Sequence, residues 1–185
     1  MNTTQLLEKD FGRYSKAKPS KIKIIRLAMA KSGFRAVLLY RLGHVLRKKR
    51  LFFLAGLFQR IMHHTCHCYI SVSAKIGPGF FIAHVGSIVI GGKTVIGAYC
   101  DVRQNVTLGG NYSKRDEDGN SQPILGDRVS VAAGACILGP VRVGANSIIG
   151  ANSVLTRNIP EGVIAAGNPA RVIKEVWGGA SGRKL

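Results

Sequence analysis

His84 is the residue of this sequence whose side chain offers the clearest chemistry. It lies two places after Ile82 in a repeating pattern, at a position where most repeats carry a small, polar or glycyl residue. Its side chain is therefore predicted to lie outside the core. An imidazole has a pKa near neutrality and can take a proton from a hydroxyl group, so His84 is a candidate general base. A plain surface histidine is the alternative that the spacing leaves open.

A second group of reactive side chains lies in the segment His63-His64-Thr65-Cys66-His67-Cys68. Zinc sites usually draw their ligands from two separated pairs, and six adjacent residues cannot all converge on one tetrahedral ion. We therefore predict no metal site and interpret the segment as the exit of a helix. The four cysteines, Cys66, Cys68, Cys100 and Cys136, are too few and too scattered for a disulfide framework, so reduced thiols are expected.

Aliphatic residues recur six positions apart between residues 70 and 155. The three blocks are Ile70, Ile76, Ile82, Ile88; Ile90, Ile96, Val102, Leu108; and Leu125, Val131, Ile137, Val143, Ile149, Leu155. An α-helix has a period of 3.6 and a strand a period of 2, so neither explains this pattern. A triangular coil of short strands explains it, with three repeats in each turn. A β-sandwich, whose strand spacing is nearer 8 to 12 residues, is set aside.

Two interruptions divide the pattern. The register slips by two residues between Ile88 and Ile90, which predicts a small bulge. Residues 109–123 form a hydrophilic segment that is predicted to loop out of the coil, either as a functional loop or as a merely solvated one.

The N-terminal part of the chain is strongly basic. Residues 1–68 carry 15 Lys and Arg residues against Glu8 and Asp10, in a chain of formal net charge +18. Apolar residues at helical spacing predict an amphipathic helix around residues 34–47, and a second apolar helix from Leu51 to about Met62 that could cap the coil. Such a basic region attracts phosphate groups, which an anionic membrane, a nucleic acid or a polyanionic substrate could supply. The alternative is a solvated capping helix without an anionic partner.

Three stretches together resemble the hexapeptide-repeat acyltransferases, in the serine acetyltransferase-like branch that includes exopolysaccharide and capsule O-acetyltransferases. They are Ala74-Lys75-Ile76-Gly77-Pro78-Gly79, Asn105-Val106-Thr107-Leu108-Gly109-Gly110 and Ala165-Ala166-Gly167-Asn168-Pro169-Ala170-Arg171-Val172-Ile173. The resemblance implies a mainly β fold, a left-handed parallel β-helix with an N-terminal basic helical segment. The expected division is residues 1–68 for the helical segment, 69–158 for the β-helix, and 159–185 for a C-terminal extension ending in a frayed tail.

The resemblance also implies a homotrimer that binds acetyl-CoA between neighbouring subunits. His84 falls on the catalytic histidine of the family, and the mechanism is direct acetyl transfer without a covalent enzyme intermediate. The positions implied for coenzyme binding are Gly110, Ala133, Ala151, Arg171 and Lys174. Small residues allow the pantetheine arm to approach the backbone closely.

The sequence departs from the serine acetyltransferases of this family at residues that bind the acceptor. Ala83 stands where they have an Asp before the histidine, and Tyr69 where they have the Asp that orients it. Ser121-Gln122 replaces an Arg-His pair that helps to hold serine. Charged groups bind the ammonium and carboxylate of an amino acid, so their absence favours an uncharged hydroxyl.

We therefore predict an O-acetyltransferase that acts on a saccharide or lipid-linked glycan in capsule or exopolysaccharide assembly. The alternatives are a serine O-acetyltransferase of cysteine biosynthesis, or a basic binding protein for membrane or nucleic acid. No base-reading motif is recognisable, so nucleic acid is not an expected partner. The longest apolar run near the N-terminus, Leu51–Phe58, is too short to span a bilayer, and no export signal is evident. The expected location is the cytoplasm, with contact to the inner membrane face through the basic helices.

Overall fold

The protein, described here from a computed structural model, has an N-terminal helical region followed by a coil of short strands. The structure describes residues 2–111 and 114–176. The helices are α1 (Thr3–Gly12), α2 (Lys21–Ala30), α3 (Ser32–Lys48) and α4 (Phe52–Cys66). Asn2 begins α1 with a capping box, in which its side chain accepts from the Gln5 backbone N–H while the Gln5 side chain accepts from the Asn2 N–H. His67 ends α4 in the left-handed conformation.

The coil is built from three sheets whose strands follow one another around a triangular column. The strands are β1 (Cys68–Ile70), β2 (Lys75–Ile76), β3 (Phe81–Ile82), β4 (Ile88–Ile90), β5 (Val95–Ile96), β6 (Asp101–Val102), β7 (Thr107–Gly109), β8 (Ile124–Leu125), β9 (Ser130–Val131), β10 (Cys136–Leu138), β11 (Arg142–Val143), β12 (Ile148–Ile149), β13 (Val154–Leu155), β14 (Val163–Gly167) and β15 (Ala170–Glu175). Sheet 1 has the order β1-β4-β7-β10-β13, sheet 2 the order β2-β5-β8-β11 and sheet 3 the order β3-β6-β9-β12-β14-β15. Pairing is parallel except between β14 and β15. The predicted parallel β-helix is confirmed.

The core of the coil is the ladder that the six-residue period predicts. All fourteen aliphatic positions are buried, and so are the smaller residues two places before them in the last turns, Val129, Ala135, Val141, Ser147 and Ser153. Each strand places alternate residues inside and outside, and stacking places equivalent residues above one another. The long loop leaves the column after β7 and returns at β8, as the sequence predicts.

The helical region closes the N-terminal end of the column. Ala36, Val37 and Tyr40 of α3 and Met62 of α4 belong to the same buried cluster as the first turn of the coil. The Tyr40 hydroxyl donates to the Ala74 carbonyl at 2.8 Å. Burial raises the pKa of Tyr40 to about 12, so this hydroxyl stays protonated and keeps its donor role.

Some sequence-based expectations differ from the structure. Two helices, α1 and α2, were not predicted, and the predicted bulge is wrong. Ile88 and Ile90 both point inward because residues two apart in a strand share a face, and β4 pairs in continuous register with β1 and β7. The tail predicted at residues 178–184 lies outside the described residues. Over the part of the chain that the structure covers, no helix has the length and apolar content needed to cross a membrane.

Candidate functional site

His84 lies on the connection between β3 and β4, where the chain passes from sheet 3 to sheet 1. This connection contains the two additional residues that shift the six-residue pattern near Ile88. Ile82 and Ile90 are eight residues apart, whereas Val102 and Leu108, the equivalent pair one turn further along, are six apart. The longer connection leaves His84 exposed at the edge of the column.

A cavity of 410 Å³ opens beside His84, and the helical region supplies most of its wall. It is lined by Arg13, Tyr14, Ala30, Lys31, Ser32, Gly33, Phe81, Ile82, Ala83 and His84. The Tyr14 hydroxyl donates to the Ile82 carbonyl at 3.1 Å and accepts from the Ile82 N–H at 2.7 Å. A Cβ on Gly33 would lie 2.1 Å from the Ile82 carbonyl oxygen, so glycine lets α3 approach β3 this closely.

The charged side chains that line this cavity are cationic. Arg13 donates to the carbonyls of Gly79 and Tyr99 at 3.0 Å, and its guanidinium lies 3.7 Å from Asp101. Lys31 is exposed at the end of α2. No carboxylate is among the residues that line the cavity. The cavity lining can therefore bind an anionic group, such as a carboxylate. It has no acidic side chain that could bind an ammonium group.

The positions at which the sequence departs from the serine acetyltransferase pattern do not form a replacement clamp. Ala83 lies in the cavity beside His84, and Tyr69 is exposed in β1. Gln122 lies at another edge of the column, where its side-chain oxygen accepts from the Lys93 N–H at 2.7 Å. Across the described ranges, the His84 imidazole has no hydrogen-bond partner. The orienting group expected for a catalytic histidine is therefore not supplied within one chain as described.

Ala133 and Ala151 lie on the same edge of the column as His84. Both are in connections from sheet 3 to sheet 1, two and three turns beyond His84. Backbone hydrogen bonds join the successive corners: the Gly134 N–H donates to the Gln104 carbonyl at 3.0 Å and the Asn152 N–H to the Ala133 carbonyl at 2.9 Å. At about 4.8 Å per turn, Ala133 is about 10 Å and Ala151 about 14 Å along the axis from His84.

This edge has the features that a pantetheine arm needs. The side chains of Ala133 and Ala151 are small, and their backbone N–H groups donate to no acceptor within the described residues. Between them and His84, the Gln104 side-chain oxygen is buried without a hydrogen-bond partner. A buried polar group without a partner is costly, so a polar ligand or a neighbouring subunit at this edge would satisfy it. The residues present therefore fit coenzyme A.

The other predicted coenzyme residues lie elsewhere on the column. Gly110 follows β7 on the edge between sheets 1 and 2, beside a cavity of 260 Å³ lined by Gly110, Asn111, Arg115, Ser121 and Gln122. Arg171 and Lys174 are exposed on β15, which pairs with β14 at the C-terminal end of sheet 3. One chain thus brings His84, Ala133 and Ala151 to one edge and leaves Gly110 on another.

Two of the buried cysteines outside this edge have thiols whose ionisation is disfavoured. Burial raises the pKa of the Cys68 thiol, and it raises the pKa of Cys100 to about 11, which disfavours the thiolate. Cys66 is buried at the end of α4. Among the residues that the structure covers, no three His, Cys, Asp or Glu side chains are grouped to hold a metal ion.

Sequence reasoning missed Arg13, Tyr14 and Gly33, which form the cavity wall beside His84. Only the excess of basic residues marked that segment, and no periodic signal connected it with the coil. The contacts between these residues and β3 span about 50 to 70 positions of sequence, so local patterns could not reveal them.

Comparison with known proteins gives a consistent result. Residues 122–157 match the model of the bacterial transferase hexapeptide family (six repeats). A serine acetyltransferase of Helicobacter pylori (strain ATCC 700392 / 26695) is 40% identical over 141 residues, which cover 76% of this chain and 81% of the relative. The crystal structure of serine acetyltransferase from Brucella abortus strain S19 superposes with a TM-score of 0.79 at 30% identity, covering 93% of this chain and 69% of that one. A serine acetyltransferase solved as a complex with CoA superposes with a TM-score of 0.77 at 31% identity, covering 92% and 69%.

Proposed function

Because the chain belongs to the hexapeptide-repeat transferases and is an acetyl-CoA-dependent acetyltransferase, we propose that it acetylates the hydroxyl group of L-serine. The predicted family, enzyme class and acetyl-CoA co-substrate are confirmed, and a binding protein without catalysis is set aside. The relatives are named serine acetyltransferases and not exopolysaccharide O-acetyltransferases. The 40% identity over 81% of the Helicobacter pylori enzyme carries this proposal.

In the proposed reaction His84 acts as the general base. Acetyl-CoA supplies an acetyl group activated as a thioester. His84 is exposed at the head of the edge that carries Ala133 and Ala151, so an acceptor in the adjacent cavity could place its hydroxyl against the imidazole. Proton removal by His84 makes the hydroxyl oxygen nucleophilic as it attacks the thioester carbonyl. The new C–O ester bond replaces the C–S bond, and the departing thiolate of coenzyme A takes the proton from the His84 imidazolium, which leaves His84 neutral again. Lys31 or Arg13 would hold the serine carboxylate through its negative charge.

The proposed active unit is a homotrimer. Gly110 and its cavity lie on a different edge from His84, so a groove that uses both needs two copies of the chain. The buried oxygen of Gln104 and the unpartnered imidazole of His84 are on the edge that a neighbouring subunit would face. Arg171 and Lys174 are cations that could hold the phosphates of the nucleotide end.

A saccharide hydroxyl is the second candidate acceptor, and a specific observation favours it. The cavity beside His84 has Ala83 where a carboxylate would bind the serine ammonium, and no lining residue replaces it. An uncharged hydroxyl needs no such group, and a cationic lining also suits a phosphorylated or acidic glycan. This acceptor would be consistent with work in capsule or exopolysaccharide assembly.

Thiol release from acetyl-CoA, measured with a panel of acceptors, tests the two candidates. The panel contains L-serine, L-alanine as the analogue without a hydroxyl, a neutral oligosaccharide and an acidic oligosaccharide. Saturable turnover with L-serine, with L-alanine inactive, is the expected result. Turnover with an oligosaccharide and none with L-serine would replace serine by the second candidate. Acetyl-CoA that neither binds nor reacts with any acceptor would overturn both.

A further inference from the structure

The helix α4 exposes more large apolar side chains than α2 or α3 does. The helix buries Ala55, Met62 and Cys66 against the rest of the protein. The helix and its N-cap residue expose six large apolar side chains: Leu51, Phe52, Phe53, Leu54, Leu57 and Ile61. Phe53 is 85% exposed and Phe52 58% exposed. Four of these six, Phe53, Leu54, Leu57 and Ile61, share one side of the helix, and we call these four residues the α4 face.

An ordinary surface helix buries its large apolar residues, whereas α4 exposes most of its own. Adjacent exposed apolar residues of this size mark a surface that binds another apolar surface. Isolated exposed apolar residues need no explanation, but here Phe53, Leu57 and Ile61 follow one another at four-residue intervals along the same side of the helix. The α4 face therefore lacks a partner in the isolated chain.

Positive charge surrounds the α4 face. Four exposed basic residues precede the N-cap residue Leu51: Arg47, Lys48, Lys49 and Arg50. Arg60 is exposed within α4. The Arg47 guanidinium lies over the Phe52 ring, 5.6 Å from its centroid. No Asp or Glu occurs between Asp10 and Asp101, so no acidic residue of the helical region after α1 offsets this charge.

Exposed apolar residues next to positive charge favour one kind of partner. A second copy of the chain would bring the same positive charges to the contact, and like charges oppose association. A nucleic acid would match the charge but would leave the Phe and Leu side chains without an apolar environment. An anionic lipid bilayer offers a negative surface and, immediately below it, an apolar layer. We propose that α4 lies in the interface of an anionic membrane, with the α4 face in the acyl region and the Arg47–Arg50 run against lipid phosphates.

This proposal goes beyond the acetyl transfer reaction and does not depend on which acceptor is used. A helix of this type binds parallel to the membrane plane, with its apolar face buried about 5 to 10 Å. It would hold the enzyme at a membrane surface without crossing it. Either a soluble or a lipid-linked acceptor is compatible with that location.

Co-sedimentation of the full chain with vesicles tests the proposal. The probes are vesicles of phosphatidylcholine with 30% phosphatidylserine and vesicles of phosphatidylcholine alone. We expect binding to the anionic vesicles to be about tenfold stronger or more, and to weaken as salt is raised. The double variant Phe53→Ser/Leu57→Ser and the double variant Lys48→Glu/Lys49→Glu should each reduce binding to anionic vesicles by about tenfold or more.

Matched controls separate this surface from general effects. Phe53→Leu keeps an apolar side chain and should retain binding within about threefold. The double variant Arg142→Glu/Arg157→Glu changes the net charge by the same amount as Lys48→Glu/Lys49→Glu, but on exposed residues of the coil. It should bind anionic vesicles nearly as the parent protein does. Circular dichroism and acetyl-CoA-dependent thiol release show whether each variant remains folded.

Three outcomes would overturn the proposal. The first is equal binding to neutral and anionic vesicles, and the second is an equal loss in the Arg142→Glu/Arg157→Glu control. The third is that analytical ultracentrifugation finds oligomers that Phe53→Ser/Leu57→Ser dissociates, while the parent binds no vesicles. That third result would assign the α4 face to a contact between copies of the chain. Because activity is measured separately, none of these results bears on the acceptor.

Discussion

The coil directs its aliphatic residues inward, whereas α4 of the helical region directs its large apolar residues into solvent. In the coil, residues such as Ile82 and Ile137 have no exposed surface. In α4, Phe53 contacts solvent over most of its area while Ala55 is buried. In the coil, burial of apolar residues supports folding, whereas on α4 the exposed apolar residues are the surface that we propose lies in a membrane interface.

The two regions are joined by a buried ion pair. The Arg41 Nε atom of α3 donates to Asp10 Oδ2 of α1 at 2.8 Å, and Asp10 Oδ1 accepts from the Phe80 backbone N–H at 2.9 Å. Arg41 also donates to the backbone carbonyls of Ile76 and Gly77. The pair therefore ties two helices to the first turn of the coil, next to the wall of the His84 cavity.

The largest expected effect concerns His84, on the coil edge where the two regions meet. His84→Ala should lower acetyl transfer by about 10² to 10⁴-fold, because general base catalysis typically contributes that factor. The circular dichroism spectrum and the oligomeric state should remain those of the parent, since His84 is exposed. His64→Ala, an exposed histidine of α4, is the matched control and should keep its rate within about twofold. Parental activity in His84→Ala would remove this residue from the mechanism.

A second prediction concerns the junction between the regions. Asp10→Asn should reduce the free energy of unfolding by about 3 to 5 kcal/mol, because it leaves the Arg41 charge buried without its partner. Glu8→Gln also removes one negative charge from α1, but from an exposed residue, and should alter the free energy of unfolding by less than about 0.5 kcal/mol. Urea unfolding curves measure both. Equal stability of the two variants would mean that the ion pair does not hold the regions together.

A third prediction compares the two uses of apolar residues directly. Ile137→Ala should destabilise the fold by about 2 to 5 kcal/mol, because it leaves a cavity in the column. Phe53→Ala removes a larger side chain but should change the free energy of unfolding by about 0.5 kcal/mol or less, because Phe53 is mostly in solvent. Thermal unfolding without lipid tests this contrast. A comparable loss in Phe53→Ala would show that the α4 face supports the fold itself.

The smallest expected effect is a pH dependence of the free energy of unfolding, caused by His44 of α3. Burial, aided by nearby Lys48 and Arg41, lowers the pKa of His44 from its usual 6.5, while its hydrogen bond to the Val72 carbonyl opposes the shift. The unfolded chain therefore binds a proton at a higher pH than the folded chain does. The stability contributed by neutral His44 is complete above about pH 6.5 and is lost as the pH falls from there toward the lowered pKa.

His44→Gln should therefore show a shallower decline in its urea midpoint between pH 7.5 and pH 5.5 than the parent does. The exposed His64→Gln variant provides the control and should follow the parent. An unchanged pH slope in His44→Gln would assign the decline to other groups.

The sequence predicted the coil well and the candidate site in part. Ile76, Val102 and Val143 are buried as the period requires, and His84 is exposed at a corner as its repeat position indicated. The cavity wall formed by Arg13 and Tyr14 was not predicted, because a residue near the N-terminus carries no local sign of the strand it will contact. The bulge predicted near Ile88 is wrong because spacing alone does not locate an insertion: the two additional residues lie in the connection between β3 and β4.

What the sequence determined by itself is the repeating column, the outward position of His84 and the excess of positive charge before residue 69. These follow from local rules, because each six-residue unit places its own aliphatic residue inside and stacks on a unit like itself. Only the tertiary structure decided which helices form the wall of the His84 cavity, which corners align on one edge, and which side of α4 faces outward. The orientation of α4 depends on packing against α3 and the first turn of the coil. A hydrophobic sequence pattern identifies a residue as apolar, but it does not indicate whether the rest of the chain or a partner will cover that residue.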